Sequence, residues 1–210
     1  LERHGSALRH GWRLRALERG GGRIAALDFD AGRVPLGPDD RAILAVSPWV
    51  AGELLPELGL AFEPRPIVNA HLLLPQAARL PEDLPLLGLI GGTAERLFAR
   101  GRVVSLTVSA AEALADTDNE TLAGRLWADT ARALALPLEP RPPLRILREK
   151  RATFAATPAA AARRPGATTG WRNLLLAGDY TATGLPSTIE GAVQSGHAAA
   201  AAARATPAAA

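Results

Sequence analysis

Residues 173–196 read NLLLAGDYTATGLPSTIEGAVQSG and join a strongly apolar run to the start of a helix. The run over 174–177 predicts a buried strand, and Gly178 and Asp179 then place a carboxylate at a glycine break. Ser187 and Glu190 have the spacing of a capping box, which predicts a helix over 187–203. A helix start offers unpaired N–H groups and about half a positive charge, which suits an anion or an electron-rich carbonyl. On its own, however, the pattern is explained more simply by a turn capped by Asp179 and an ordinary helix start.

The composition excludes several classes of protein. The 210 residues are 48% hydrophobic and 21% charged, which is typical of a globular chain. Cysteine is absent, so disulfide scaffolds, thiolate metal sites and cysteine nucleophiles are excluded. The formal charge is only +3, the arginines are scattered and Lys150 is the single lysine, so we expect no nucleic-acid partner. Apolar runs fall short of the roughly 18 residues that span a bilayer, which leaves contact with a membrane surface as the open alternative.

The first 62 residues predict a small β-meander and a strand that returns into a larger sheet. Alternating residues surround turns at 20–22 and 30–32. The pattern Gly20-x-Gly22-x-x-Ala25 formally matches the dinucleotide fingerprint, but it stands between two strands, so we interpret it as a hairpin turn. The apolar run over 41–46 predicts a strand buried on both faces, and a short helix is predicted over 48–60.

The prolines within residues 62–66 predict a stiff linker, and we place a domain boundary there. Residues 63–165 form a second predicted domain, with strands over 67–74, 86–90, 103–108 and 144–154 and a helix over 121–136 capped by Asp118 or Asn119. Residues 166–203 contain the final strand, loop and helix, and the Ala/Pro stretch at 204–210 predicts a disordered tail. The expected fold class is α/β of mixed α and β character, in two domains.

Residues 176–196 resemble the C-terminal flavin signature of the amine oxidase and phytoene desaturase superfamily. Three shorter motifs, PIVNAH at 66–71, LIGGTA at 89–94 and EKRATF at 149–154, resemble its squalene-associated branch, the hydroxysqualene dehydroxylases of hopanoid synthesis. The likeness extends over residues 1–200. It therefore concerns both predicted domains.

The resemblance implies a two-domain FAD enzyme, with a discontinuous FAD domain over 1–62 and 166–203 and a mixed-sheet substrate domain over 63–165. Gly178 and Asp179 match positions that meet the ribityl and diphosphate region of FAD. Backbone around Ser187, Thr188 and Ile189 matches the segment at the pyrimidine edge of the flavin. Leu14 matches a meander position whose backbone touches adenine. The helix start would then stabilise negative charge at N1 and the C2 carbonyl of the reduced flavin.

The reaction implied by the resemblance is reductive dehydroxylation of hydroxysqualene, a C30 allylic alcohol, to squalene in an apolar pocket that excludes water. Because such an isoprenoid is insoluble, we expect a cytoplasmic enzyme that touches the inner membrane surface peripherally. No catalytic residue and no metal site is assigned. His71 is the tempting general acid, but we interpret it as a structural histidine. The charged residues at 149–151 are interpreted as a solvated strand face.

The glycine-rich fingerprint and ribose-binding acid of the family's N-terminal half have no counterpart in the chain, which opens Leu1-Glu2-Arg3 without methionine. We therefore expect that the chain is N-terminally truncated and that it is inactive alone. Its expected partner is the missing N-terminal half of the same protein. Two alternatives stay open. One is a carotenoid-type (phytoene) desaturase or isomerase, or another amine oxidase-like flavoenzyme, which shares the C-terminal signature. The other is a non-catalytic fragment that binds isoprenoids or a membrane surface.

Overall fold

The structure, a computed structural model, describes residues 5–205 and divides into two units. One unit is formed by the residues up to Phe62 together with those from Ala156 onward, and the other is Glu63–Ala155. The second unit thus ends at Ala155, and the boundary expected at 165 is corrected. The reason is local, because Arg164 donates hydrogen bonds to backbone oxygens of the 179–185 loop, and the Pro165 carbonyl accepts from Ala182.

A three-stranded antiparallel sheet opens the first unit, in the order β1 (Leu14–Gly20), β2 (Arg23–Phe29) and β3 (Gly32–Pro35). Gly21 and Gly22 connect the first two strands with φ of 58° and 71°. Two consecutive residues with positive φ are what a tight two-residue hairpin demands, and glycine adopts that conformation without a steric penalty. The interpretation of this glycine cluster as a hairpin turn is confirmed.

A two-stranded parallel sheet pairs β4 (Ala42–Leu44) with β10 (Leu174–Leu176). All of β10 is buried, as its run of leucines predicts. Ile43 in β4 is 43% exposed, so the expectation of a strand buried on both faces is wrong for the described residues, in which nothing covers that face. The sheet they form is also small, and the meander does not continue into it.

Helices of the first unit differ from their predicted bounds because of proline and capping residues. Helix α1 covers Pro48–Leu54 and stops before Pro56, which begins a separate 3₁₀ turn, so the predicted 48–60 helix is too long. Helix α3 (Pro158–Ala162) was not predicted. Helix α4 covers Ile189–Ala205, so Arg204 and Ala205, assigned to a disordered tail, are helical. Residues 206–210 of that predicted tail lie outside the described residues.

The second unit is a five-stranded sheet in the order β6-β7-β8-β5-β9, with one helix packed on it. Its strands are β5 (Pro64–Leu73), β6 (Leu87–Gly88), β7 (Arg96–Arg100), β8 (Val103–Val108) and β9 (Leu144–Phe154). Every pairing is antiparallel, so the sheet is not mixed as expected. The predicted linker at 62–66 instead contributes the start of β5, where a register shift between Arg65 and Ile67 accommodates Pro66.

One face of this sheet forms the core of the second unit. Val68, Ala70 and Leu72 alternate along β5 and are buried with helix α2 (Asn119–Leu134). From the helix, Leu122 and Leu126 contribute fully buried side chains. The Asp118 carboxylate caps the helix by accepting from the Thr121 N–H at 2.8 Å, which confirms one of the two predicted caps.

Within residues 5–205, none of the helices is both long and apolar enough to cross a bilayer.

Candidate cofactor site

The end of β10 turns sharply at Gly178, which has a φ of 153°. A Cβ built there would lie 2.4 Å from Cε1 of Tyr180 and 3.3 Å from the Val46 carbonyl oxygen. Glycine therefore lets the strand end pass directly over the Tyr180 ring, which is fully buried. The Thr181 N–H donates to the Gly178 carbonyl at 3.1 Å and closes the turn.

The loop after the turn is fixed by Asp179 and Arg164. The Ser187 hydroxyl donates a hydrogen bond to the Asp179 carboxylate and joins the two ends of the loop. The Arg164 guanidinium donates to the Asp179 carbonyl at 2.8 Å and to the Leu185 carbonyl at 2.5 Å. The structure thus brings together Asp179 and Ser187, two of the predicted site residues, through a contact that sequence spacing did not reveal.

Helix α4 begins two residues later than predicted, and the predicted capping box is wrong. The cap is Thr188, whose Oγ1 accepts from the Gly191 N–H at 3.2 Å and whose carbonyl accepts from Ala192 at 2.9 Å. Ser187 faces Asp179, and the Glu190 carboxylate accepts from the Gln194 amide at 2.8 Å. The competing contact with Asp179, which is distant in sequence, explains the failure of the local pattern.

Two backbone donors are left over at this helix start. Among residues 5–205, the N–H groups of Ile189 and Glu190 have no acceptor, as is usual for the first turn of a helix. The Ile189 side chain is 87% exposed beside them. The helix dipole adds partial positive charge at the same place. The site is therefore suited to a ligand that presents carbonyl oxygens or negative charge and an apolar surface.

A single serine fixes the helix against the strand end. Ser195 is buried, accepts from the Gly178 N–H at 2.7 Å and donates to the Ala192 carbonyl at 2.6 Å. Leu14, the remaining predicted site residue, lies at the start of β1 opposite Phe29, in the other sheet of the unit. Sequence analysis did not identify Arg164 or Ser195, because Arg164 lies in a stretch of low complexity and Ser195 looks like an ordinary helix residue.

The hydroxyl of Tyr180 is buried and has no hydrogen-bond partner among the described residues. Burial raises the pKa of Tyr180 to about 12, and the nearby Asp179 carboxylate adds to the rise. Tyr180 is the single tyrosine of the chain, so its titration can be followed directly.

This burial predicts a loss of stability in strong alkali. From about pH 10, the ordinary value for tyrosine, an unfolded chain loses the phenol proton while the folded chain keeps it until about pH 12. The free energy of unfolding should fall across this window by about 2–3 kcal/mol. Tyr180→Phe should remove that component and cost less than about 1 kcal/mol at pH 7, since no hydrogen bond is lost. Urea unfolding at a series of pH values measures both; an identical alkaline slope in the phenylalanine variant contradicts the assignment.

The second unit carries an apolar cleft of about 600 Å³. Leu74, Trp127, Leu134, Leu136 and Pro137 form part of its lining. Its size falls within the range of small-molecule sites, and its walls are largely hydrocarbon. Among residues 5–205 there is no cluster of histidine and carboxylate side chains that could hold a metal ion.

Relatives of this chain are flavin enzymes. Residues 1–204 match the family model described as flavin containing amine oxidoreductase. A hydroxysqualene dehydroxylase from Rhodopseudomonas palustris is 47% identical over 201 residues, which are 95% of this chain and 47% of that protein. Another, from Sinorhizobium fredii, is 44% identical over 200 residues, again 95% and 47% of the two chains. The chain therefore spans about half the length of the curated relatives that it matches.

Solved structures show the same fold. Putrescine oxidase bound to putrescine has a TM-score of 0.62 at 16% identity, over 92% of this chain and 48% of that one. Iminodiacetate oxidase from Chelativorans sp. BNC1 has a TM-score of 0.56 at 21% identity, over 92% and 49%. These likenesses confirm the α/β fold class, and the family model supports FAD as the cofactor. As the sequence resemblance indicated, the chain belongs to the family of flavin-containing amine oxidoreductases.

Proposed function

We propose that this chain is part of an FAD-dependent hydroxysqualene dehydroxylase that converts hydroxysqualene to squalene. The observation that carries the proposal is the 39–47% identity to three proteins of that name over at least 90% of the chain. The open helix start next to the strand end supports it, because it offers the donors that a flavin pyrimidine edge requires. We also propose that sequence outside these 210 residues completes the FAD domain.

The chain's residues have distinct roles in holding FAD. Asp179, held by Ser187, would lie beside the ribityl and diphosphate region, and Gly178 would let that region approach the backbone. The N–H groups at Ile189 and Glu190 bind the pyrimidine edge, with Thr188 fixing the helix start. The Leu14 backbone would contact adenine. Bound FAD in its reduced form would supply a hydride, and the chain's donors would stabilise the negative charge that the reduced ring carries before it gives up that hydride.

The proposed substrate is almost entirely hydrocarbon, and the second unit exposes apolar side chains that could contact it. Loss of the hydroxyl as water leaves an allylic carbon that reacts readily with bulk water, so the site must be dry. The exposed side chains of Leu73, Phe98 and Leu147 on the sheet of the second unit offer hydrocarbon surface for an isoprenoid chain. Leu84, Leu86 and Ile90 are also exposed, and we propose that the cytoplasmic enzyme touches the inner membrane surface through such residues. Failure to float with liposomes counts against that contact.

A proline substitution at the helix start tests the flavin site without any assay of turnover. Ile189→Pro deletes one N–H donor at the first helical position, where proline is tolerated. Affinity for FAD should fall roughly tenfold, the value of one hydrogen bond. Ile189→Ala is the matched control, because it removes the exposed side chain and keeps the N–H. The host is a chimaera in which residues 1–204 replace the matching segment of the Rhodopseudomonas palustris relative, and flavin fluorescence is the readout. Equal FAD affinity in the two variants contradicts the assignment.

Product analysis tests the reaction itself. The chimaera, loaded with FAD and supplied with a reductant, is incubated separately with hydroxysqualene and with phytoene. Squalene from the first and no change in the second is the expected result. Desaturation or isomerisation of phytoene would instead support the alternative function, a carotenoid-type desaturase or isomerase. A folded, flavin-loaded chimaera that acts on neither, yet binds isoprenoid, would favour the non-catalytic alternative.

A further inference from the structure

The five-stranded sheet of the second unit has a second face that its core does not use. Along β5, Asn69 and His71 point away from the buried face that carries Val68, Ala70 and Leu72. Their partners on β8 are Thr107 and Ser105, which lie on the same face because directly paired residues share a side. Four polar side chains thus form a row across the middle of the sheet. A purely structural histidine of the hydrophobic core would lie on the other face.

Two hydrogen bonds organise this row. The Nδ1 atom of His71 lies 2.8 Å from the Ser105 hydroxyl, and the Thr107 hydroxyl donates to the Asn69 amide oxygen at 2.9 Å. Nε2 of His71 has no partner among residues 5–205. Ser105 therefore fixes the ring through one nitrogen and leaves the other for a ligand.

Apolar side chains border the row on four strands. Leu73 and Val103 are the next pair along β5 and β8, Phe98 on β7 is paired with Ser105, and Leu147 on β9 is paired with Asn69. All four are between 39% and 46% exposed. A polar centre within an exposed apolar border matches a ligand that is hydrocarbon except for one polar group.

The charged groups on this face are mainly arginines. Arg145 on β9 is paired with His71, Arg96 and Arg100 lie on β7, and Glu149 is paired with Ile67, further along β5. No carboxylate is paired with the imidazole in the sheet. These arginines would repel a cation. A neutral oxygen acceptor is therefore a better ligand for Nε2 of His71.

We propose that His71, positioned by Ser105, binds the hydroxyl group of the substrate and protonates it as it leaves. The inference rests on the proposed function for the identity of the substrate. In the doubly protonated imidazole both nitrogens are donors, so Ser105 Oγ accepts from Nδ1 and the substrate oxygen accepts from Nε2. The C–O bond breaks, the Nε2 proton passes to the departing oxygen, and water leaves. Reduced flavin, when bound, would supply the hydride that the carbon needs, and His71 regains its proton from solvent.

The first test is a set of variants in the loaded chimaera. His71→Gln keeps a hydrogen-bonding side chain but has no proton to transfer, and kcat should fall at least about 100-fold while KM changes little. Ser105→Ala should lower kcat roughly tenfold, and Ser105→Thr should restore most of it, because the hydroxyl returns. His197→Gln is the control, since that histidine is exposed on α4. Flavin absorbance and melting temperature establish that each variant is folded; if His71→Gln is not, Ser105→Ala decides.

The second test separates this inference from the proposed function. Binding of hydroxysqualene and of squalene, which lacks the hydroxyl, is compared in detergent micelles. The chimaera should prefer hydroxysqualene roughly tenfold, and His71→Leu should abolish the preference. A preference abolished by His71→Leu in a chimaera without turnover would uphold the binding site and refute the proposed reaction. Full turnover in His71→Gln, or an unchanged preference in His71→Leu, would overturn the role of His71 alone.

Discussion

Gly178→Ala is expected to lower the free energy of unfolding by about 3–5 kcal/mol. The added methyl would lie 2.4 Å from the ring of Tyr180, which is fully buried and has no space to retreat. The φ of 153° adds backbone strain, because side chains rarely adopt it. Urea unfolding of the chain, followed by circular dichroism, measures the loss.

Gly184 provides a matched control for that substitution. It also has a positive φ, of 78°, but a Cβ there would meet no atom within 4 Å. Gly184→Ala should therefore cost only about 1 kcal/mol, the price of the backbone conformation. The difference between the two alanine variants isolates the contact with Tyr180. Equal losses would show that the clash with Tyr180 does not determine the cost of alanine at Gly178.

Asp129→Leu should destabilise the second unit by about 3–4 kcal/mol. Asp129 is a buried residue of α2, and one of its oxygens, Oδ2, accepts from the N–H groups of Thr93 and Ala94 at 2.7 and 2.9 Å. Leucine would leave both donors without a partner, one of them at the fully buried Ala94. Fluorescence of Trp127, in the same helix, follows the unfolding of this unit.

The conservative variant gives the comparison that the geometry predicts. Both backbone donors use the same oxygen of Asp129, so the single oxygen of Asn can accept from both. Asp129→Asn should cost about 1 kcal/mol. Were the asparagine and leucine variants to unfold at the same urea concentration, the two hydrogen bonds could not be the source of the stability.

Asp129 also explains one of the sequence motifs. The LIGGTA stretch at 89–94 resembled a branch of the superfamily, and the structure gives it a packing role. A Cβ on Gly92 would lie 2.6 Å from an oxygen of Asp129, so only glycine fits beside the carboxylate that binds the next two residues. A local reading could not pair this loop with a helix residue 35 or 36 positions away.

In the candidate cofactor site too, features set by neighbouring residues were predictable, and features set by residues distant in sequence were not. The buried strand, the glycine break and a helix start were predictable, because each depends on neighbouring residues. The bond from Ser187 to Asp179 changed the cap from Ser187 to Thr188, and such competition between a local and a more distant partner is invisible in spacing alone. Strand β7 was missed because its five residues begin and end with arginine and only Leu97 is fully buried.

The histidine at position 71 marks where the sequence was least informative. Alternation along β5 placed it in a strand, but nothing in the local pattern decided which face would be covered by α2. The burial of Val68, Ala70 and Leu72 against α2 decides this, and His71, which alternates with them, lies on the opposite face. The structural role that the sequence suggested for His71 is compatible with its hydrogen bond to Ser105, and a role in the reaction is our proposal.

We propose that this chain belongs to an enzyme in which FAD delivers a hydride to hydroxysqualene. The most direct measurement is a single turnover without oxygen, in which the chimaera, its flavin reduced beforehand, is mixed with hydroxysqualene. We expect oxidised flavin to appear and squalene to form in equal amount. Flavin that stays reduced while hydroxysqualene is recovered unchanged, from a chimaera shown to be folded and loaded, would contradict it.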